Sequence, residues 1–168
     1  MERSHLTLWS TRWAIQLIDT RTGRVLHAVN GHNDQLNAGV YDVHSQITGQ
    51  KGPAIYQWVE IGTSNAVTQP AVTTGCVAPV LLPDGTPARV RGAWSTSGSD
   101  FTLDVAIPGA GGGGADLSSP PVTGNIWEAA LYPSQQANLG SALFRYVFPS
   151  VLTLSSANTL TISIVLAP

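Results

Sequence analysis

Four histidines, His5, His27, His32 and His44, fall within the first 44 residues beside Asp34 and Asp42, a set of donors that could serve zinc. Their spacing argues against a shared site. His27 belongs to a strand pattern and His32 to a loop, while His44 stands two residues from Asp42 on a helical pattern, which turns those two side chains to different faces. The expectation is therefore no metal, with histidines that are solvated or at an interface. Glu60 and Glu128 are the other pair of groups with catalytic potential. Two carboxylates hydrolyse a glycoside only when the fold holds them about 5 to 9.5 Å apart. Nothing in their surroundings asks for that, so each is expected to meet an arginine or solvent. Cys76 is the single cysteine, which rules out an intrachain disulfide or a CxxC metal site. As a nucleophile it lacks a base, because no histidine follows position 44 and no GxSxG or SxxK motif is present. It reads as a buried residue of a strand.

Two glycine-containing stretches invite a phosphate-binding reading. Gly109, Gly111 and Gly114 satisfy GxGxxG, but that fingerprint needs a helix directly after it, and Pro120-Pro121 stand where the helix would run. Pro108 to Pro121 is read instead as a flexible loop of low complexity. In "YQWVEIGTSN", Tyr56 to Asn65, an apolar strand pattern runs into Gly62-Thr63. The segment has neither the second glycine nor the Lys-Ser/Thr pair of a P-loop. It is a turn, with Asn65 suited to an Asx turn and Pro70 to an extended exit. Five tryptophans, Trp9, Trp13, Trp58, Trp94 and Trp127, could stack on sugars, although in a chain rich in strands they belong mostly to core or interface. No cofactor is expected.

The elements that must position these residues follow from periodicity. Leu6 to Asp19 alternates, with Trp13, Ile15 and Leu17 on one face; "DTRTG" turns the chain and "RVLHAVN" resumes the alternation. This predicts a β-hairpin over Trp13 to Val29. Leu36, Val40, Val43 and Ile47 then recur at helical spacing, which predicts a short amphipathic helix over Gln35 to Ile47, capped by Asn33 or Asp34 and weakened by Gly39. After Pro53 come "AIYQWVEIG", "CVAPVLL", "ARVRGAW", "FTLDVAI", "NIWEAALY", "ALFRYVF" and "NTLTISIVL". Short strands at this spacing, bounded by turn residues, predict an antiparallel β-sandwich or jelly roll with one short helix. In the last of them Leu160, Ile162, Ile164 and Leu166 share one face, as in an inner strand with one buried side. The expected organisation is an N-terminal arm over 1–12 and a single sandwich domain over 13–168.

Composition narrows the partners. Charged residues make up 11% of the 168 residues, against about a quarter in an average soluble protein, so much of the surface is expected to be covered by copies of the chain or by a larger assembly. The formal net charge is −2 and there is no basic stripe, which speaks against a nucleic-acid partner. No run of about 18 apolar residues and no secretion signal is visible. No membrane partner is expected, and the protein should stay in the cytosol or leave only by lysis.

Three segments resemble structural proteins of tailed bacteriophages. They are the opening hairpin "WAIQLIDTRTGRVLHAVNGHND" with "LNAGV" and the short helix, the strand and Pro-containing loop "YQWVEIGTSNAVTQPAVTTG", and the ending "NIWEAALYPSQQANLGSALFRYVFPSVLTLSSANTLTISIVL". The pattern departs from the resemblance at Ala129-Ala130, where a glycine would follow the acidic residue, and at the long glycine loop. The resemblance implies a non-catalytic β-sandwich module of the virion, made in the host cytoplasm. It would be a capsid decoration or cement protein, a homotrimer touching itself and the major capsid protein or other virion proteins. The alternative is a tail, neck, collar or fibre component that contacts the host surface. The expected attachment points are Leu6, Leu8 and Trp9 in the arm and Thr63, Ser64 and Asn65 in the turn.

Overall fold

The computed structural model describes residues 10–49, 55–71, 73–115, 120–136 and 140–167. Among these residues ten strands and one helix succeed one another: β1 Ser10–Asp19, β2 Val25–His32, β3 Asp34–Gln35, α1 Asn37–Ile47, β4 Trp58–Gly62, β5 Arg89–Arg91, β6 Ala93–Ser97, β7 Asp100–Pro108, β8 Gly124–Tyr132, β9 Phe144–Leu154 and β10 Asn158–Ala167. They form two five-stranded antiparallel sheets, ordered β2-β1-β10-β7-β6 in the first and β3-β9-β8-β4-β5 in the second. The predicted β-sandwich with one short helix is the fold observed.

The core lies between the sheets and follows the alternation seen in the sequence. Trp13, Ile15 and Leu17 of β1, Leu160, Ile162 and Ile164 of β10, and Leu103, Val105 and Ile107 of β7 all turn inward and are buried. The second sheet answers with Val59, Ile61, Ile126, Ala129, Leu131, Phe144, Tyr146 and Phe148. A tilted aromatic run, Trp13 to Tyr146 at 6.0 Å and Tyr146 to Phe148 at 5.6 Å between ring centroids, ties β1 to β9 across the core. Such pairs add to the area buried because ring edges meet ring faces.

Several elements differ from the sequence reading, each for a physical reason. Ser10, Thr11 and Arg12, expected in the arm, are the first residues of β1 and pair with Ala167, Leu166 and Val165. "CVAPVLL" is not a strand. It meets β4 at an isolated bridge from Pro79 to Gly62 and by the Val80 N–H bonded to the Ile61 carbonyl, and a second bridge joins Leu81 to Pro87, since prolines at 79 and 83 remove ladder donors. Cys76 is accordingly a half-buried loop residue. "ARVRGAW" is two strands: Gly92 separates β5, at the edge of the second sheet, from β6, at the edge of the first. The glycine segment is less free than expected, because Gly109, Gly114 and Ala115 donate their N–H groups to Asn158, Ala106 and Arg91 carbonyls, at 2.8 Å each.

The helix begins at Asn37 with Leu36 as its N-cap and no side chain capping it. Asn33 and Asp34 cannot do so, because Asp34–Gln35 are committed to pairing with Arg145 and Phe144 of β9. Its buried positions are Leu36, Gly39, Asp42 and Ser45, while Val40 and Val43 are half-buried, so the inward face is made of small and polar residues. The reason is close packing. A Cβ at Gly39 would lie 2.3 Å from the Ala142 carbonyl oxygen and 2.4 Å from the Leu143 Cα. Helix propensity alone says that Gly39→Ala should stabilise by about 1 kcal/mol. The packing reverses the sign: Gly39→Ala should destabilise by about 1–3 kcal/mol, measured as a lower urea midpoint.

Candidate functional site

The feature that most departs from an ordinary sandwich is the outer face of the second sheet, which is buried as well as the inner one. On β4, Trp58, Glu60 and Gly62 point outward; opposite them on β8 stand Tyr132, Ala130 and Glu128, and Ala130 in turn faces Arg145 of β9. Glu128 reaches this face through a bulge. The register of β8 on β9 shifts between Ile126 and Glu128, with Ile126 opposite Leu152 and Glu128 opposite Val147, so β9 inserts extra residues around Pro149. Ile126 therefore stays in the core while Glu128 turns away from it.

Two buried ion pairs sit side by side here. Arg145 and Glu128 have 0% side-chain exposure and approach to 2.7 Å; Arg89 and Glu60, at 3% and 2%, approach to 2.8 Å. Burying charges is tolerated only when every partner is supplied; for Glu128 and Arg145 the chain supplies them from the loop that follows β4, and for Glu60 and Arg89 from Tyr132 and the segment after β8. The Val77 and Ala78 N–H groups donate to the two Glu128 oxygens at 3.0 and 2.9 Å. Arg145 donates to Thr68 Oγ1 at 2.7 Å and to the Ala66 carbonyl at 2.9 Å. In the second pair Tyr132 donates its hydroxyl to Glu60 at 2.9 Å, Arg89 lies over the Tyr132 ring at 3.5 Å from its centroid, and Arg89 also donates to the Ser134 and Gln136 carbonyls. Gly62 is part of the same arrangement: a Cβ there would meet Glu128 Oε1 at 2.4 Å. That is why glycine ends this strand.

The chemistry of the site is that of a clamp. Both carboxylates are saturated with donors and out of reach of solvent, so neither can touch a substrate in this arrangement, and each meets an arginine. Burial, then the nearby Glu60 and Glu128, push the Cys76 thiol well up, and burial followed by Glu60 does the same to the Tyr132 hydroxyl. A thiol held protonated is a poor nucleophile. Among the described residues no group of three His, Cys, Asp or Glu side chains could hold a metal ion. His27 bonds to Ser150, His32 to the Thr11 carbonyl, and His44 lies exposed in the last turn of α1. None of the described tryptophans is exposed as a sugar platform: Trp13 is core and Trp58, Trp94 and Trp127 are half-buried.

The clamp holds out a surface. From Ile61 to Pro83 the chain has no charged residue and no histidine. Thr63 and Asn65 are exposed and Ser64 is half-buried, and the turn is closed by Ser64 Oγ accepting the Ala66 N–H at 3.1 Å, rather than by Asn65. Val67, between the two residues bonded to Arg145, is 85% exposed, and Val77, whose N–H is bonded to Glu128, is 53% exposed. Leu6, Leu8 and Trp9 lie outside the described residues. Sequence reasoning missed Val67 and Val77 as displayed residues, and Arg145 as support for the loop that carries them. The available signal was a lone charge inside each apolar strand: Glu60, Glu128 and Arg145.

No protein-family model, no curated protein and no solved structure matches the chain.

Replacing Arg145 by Met should cost about 3–5 kcal/mol, because it leaves Glu128 charged and buried. Combining it with Glu128→Leu should recover much of that loss, as read from urea denaturation of the single and double variants. Cys76 should react with a disulfide reagent at pH 8 far more slowly in the native protein than in urea, since its raised pKa leaves little thiolate.

Proposed function

We propose that the protein is a non-enzymatic structural component of a bacteriophage virion, a decoration or cement module that binds other copies of itself and the shell through uncharged surface. The observation that carries this reading is the loop from Thr63 to Val77, charge-free, with Val67 and Val77 exposed and its backbone pinned by two fully buried side chains. A solvent-facing apolar residue on a mobile loop loses conformational entropy on docking; one on a clamped loop has already lost it on folding, and the free energy of burial goes into attachment. The low charge of the chain and the resemblance of its segments to phage structural proteins point the same way. Cementing needs only modest contacts, since many copies act together on one particle. The copies would associate as trimers, and contact with the major capsid protein would be through Thr63, Asn65 and Val67.

The test mixes the purified protein with particles lacking it, at low salt and at about 0.5 M salt, where exposed ionic contacts are screened, and sediments them. Co-sedimentation should persist at high salt. Val67→Asp, which alters an exposed residue and leaves the fold intact, should weaken both particle binding and self-association in sedimentation velocity by at least about tenfold. A protein that stays monomeric and binds no particle would refute the reading, and so would a Val67→Asp variant that behaves as the parent does.

A further inference from the structure

The outer face of the first sheet carries an open groove of about 620 Å³ at its β2 edge, lined by Arg12, Ala14, Asn30, His32 and Val165 together with Trp13 and Gly31, whose side-chain positions face the core. Its origin is in the strand register. Arg12 stands opposite His32 on β2 and Val165 on β10, and Ala14 stands opposite Asn30. The methyl of Ala14 is thus the low point among longer neighbours. A cavity of this size suits a small organic ligand.

The polar groups around the groove specify what that ligand must offer. Arg12 is 61% exposed, and Asp100, itself 39% exposed, approaches it only to 4.0 Å. That is too long for a hydrogen bond, so the guanidinium fork remains available to a carboxylate. His32 Nδ1 lies 3.1 Å from the Thr11 carbonyl oxygen. A carbonyl can only accept, so Nδ1 carries the proton and donates to it, which leaves Nε2 to meet a hydroxyl. Asn30 supplies one amide donor pair and one acceptor, which matches a second hydroxyl. Val165 and Ala14 form an apolar floor.

We infer that this groove binds a hydroxylated carboxylate of sugar size, a uronic acid, with Arg12 on the carboxylate and His32 and Asn30 on neighbouring hydroxyls. A neutral sugar would leave the guanidinium unused, and a simple carboxylate would leave the imidazole and the amide unused. Each should bind more weakly than the acid sugar.

Titration of the full chain with methyl glucuronide, followed by amide chemical shifts, should give a saturable response confined to β1, β2 and the end of β10. Methyl glucoside and acetate should each bind at least about tenfold more weakly, the loss expected for one charge-assisted contact. Arg12→Gln should lose a similar factor, and Ala14→Phe, which fills the floor from the outer face and leaves the core untouched, should abolish the response; unchanged spectra elsewhere would verify folding of both variants. No saturable response to the glucuronide would overturn the inference. So would equal binding of the glucoside or of acetate, or an Arg12→Gln variant that binds as well as the parent.

Discussion

A carboxylate with no access to water, Glu128, and the guanidinium bonded to it, Arg145, decide what can cover the second sheet. Once β8 delivers that charge to the outer face, the chain must bring donors and acceptors to it or leave it unpaired at a cost of several kcal/mol. The loop after β4 does so with the backbone N–H groups of Val77 and Ala78, the Thr68 hydroxyl and the Ala66 carbonyl. That loop also receives the N–H of Asn37 at the Pro70 carbonyl and of Ala142 at the Thr74 carbonyl. Helix α1, the loop and the segment before β9 therefore form one layer held by polar bonds as much as by apolar contact.

The two sheets are consequently unlike each other. The first is a half-buried sheet with apolar residues inward and Thr, Ser, Ala and Asn outward, its outer face open except where β1 and β2 shape the groove. The second is buried on both sides, with Val59, Ile61 and Leu131 toward the common core and Glu60, Ala130 and Tyr132 toward the covering layer. Sheets covered on both faces lose the alternation of apolar and polar residues, and "WVEIG" and "EAALY" show that loss. Ala129-Ala130 stand in β8 because one is pressed into the core and the other lies under the covering layer.

This asymmetry explains how far the amino-acid sequence could be read. The β10 alternation, the β1–β2 hairpin and the β7 pattern are legible because one face of each meets water, which imposes a period of two. The second sheet was legible only as apolar runs, and the partners of its charges were not, since the pairing of Glu128 with Arg145 depends on strand order and on a bulge that local pattern does not encode. The loop carrying Val77 looked like a strand because valine and leucine favour strands, but Pro79 and Pro83 deny it a ladder. The helix was placed to within two residues, and its inward face was not, because that face was selected by the close approach of Ala142 and Leu143. Thr63 to Asn65 could be read as an exposed turn; that the turn is rigid depends on residues more than sixty positions away. The groove at Arg12, Asn30 and His32 arises from cross-strand neighbours and has no linear signature.

In the first sheet β1 is flanked by β2 and by β10, with Ser10 opposite Ala167 and Asp19 opposite Asn158. The earliest strand of the domain thus finds one of its two hydrogen-bonded neighbours only in the last. During synthesis β1 and β2 can form a hairpin, yet Trp13, Ile15 and Leu17 stay uncovered until the second sheet has emerged to pack on them, and the other edge of β1 stays unpaired until β10 has. A topology so dominated by distant pairing folds slowly, because the loop-closure entropy is lost before the contacts that repay it are made. Over that interval the nascent chain presents an apolar hairpin with unpaired edges, the state most open to mispairing with a neighbouring copy. The rate of chain elongation and the local concentration of nascent copies therefore bear on the yield of native protein.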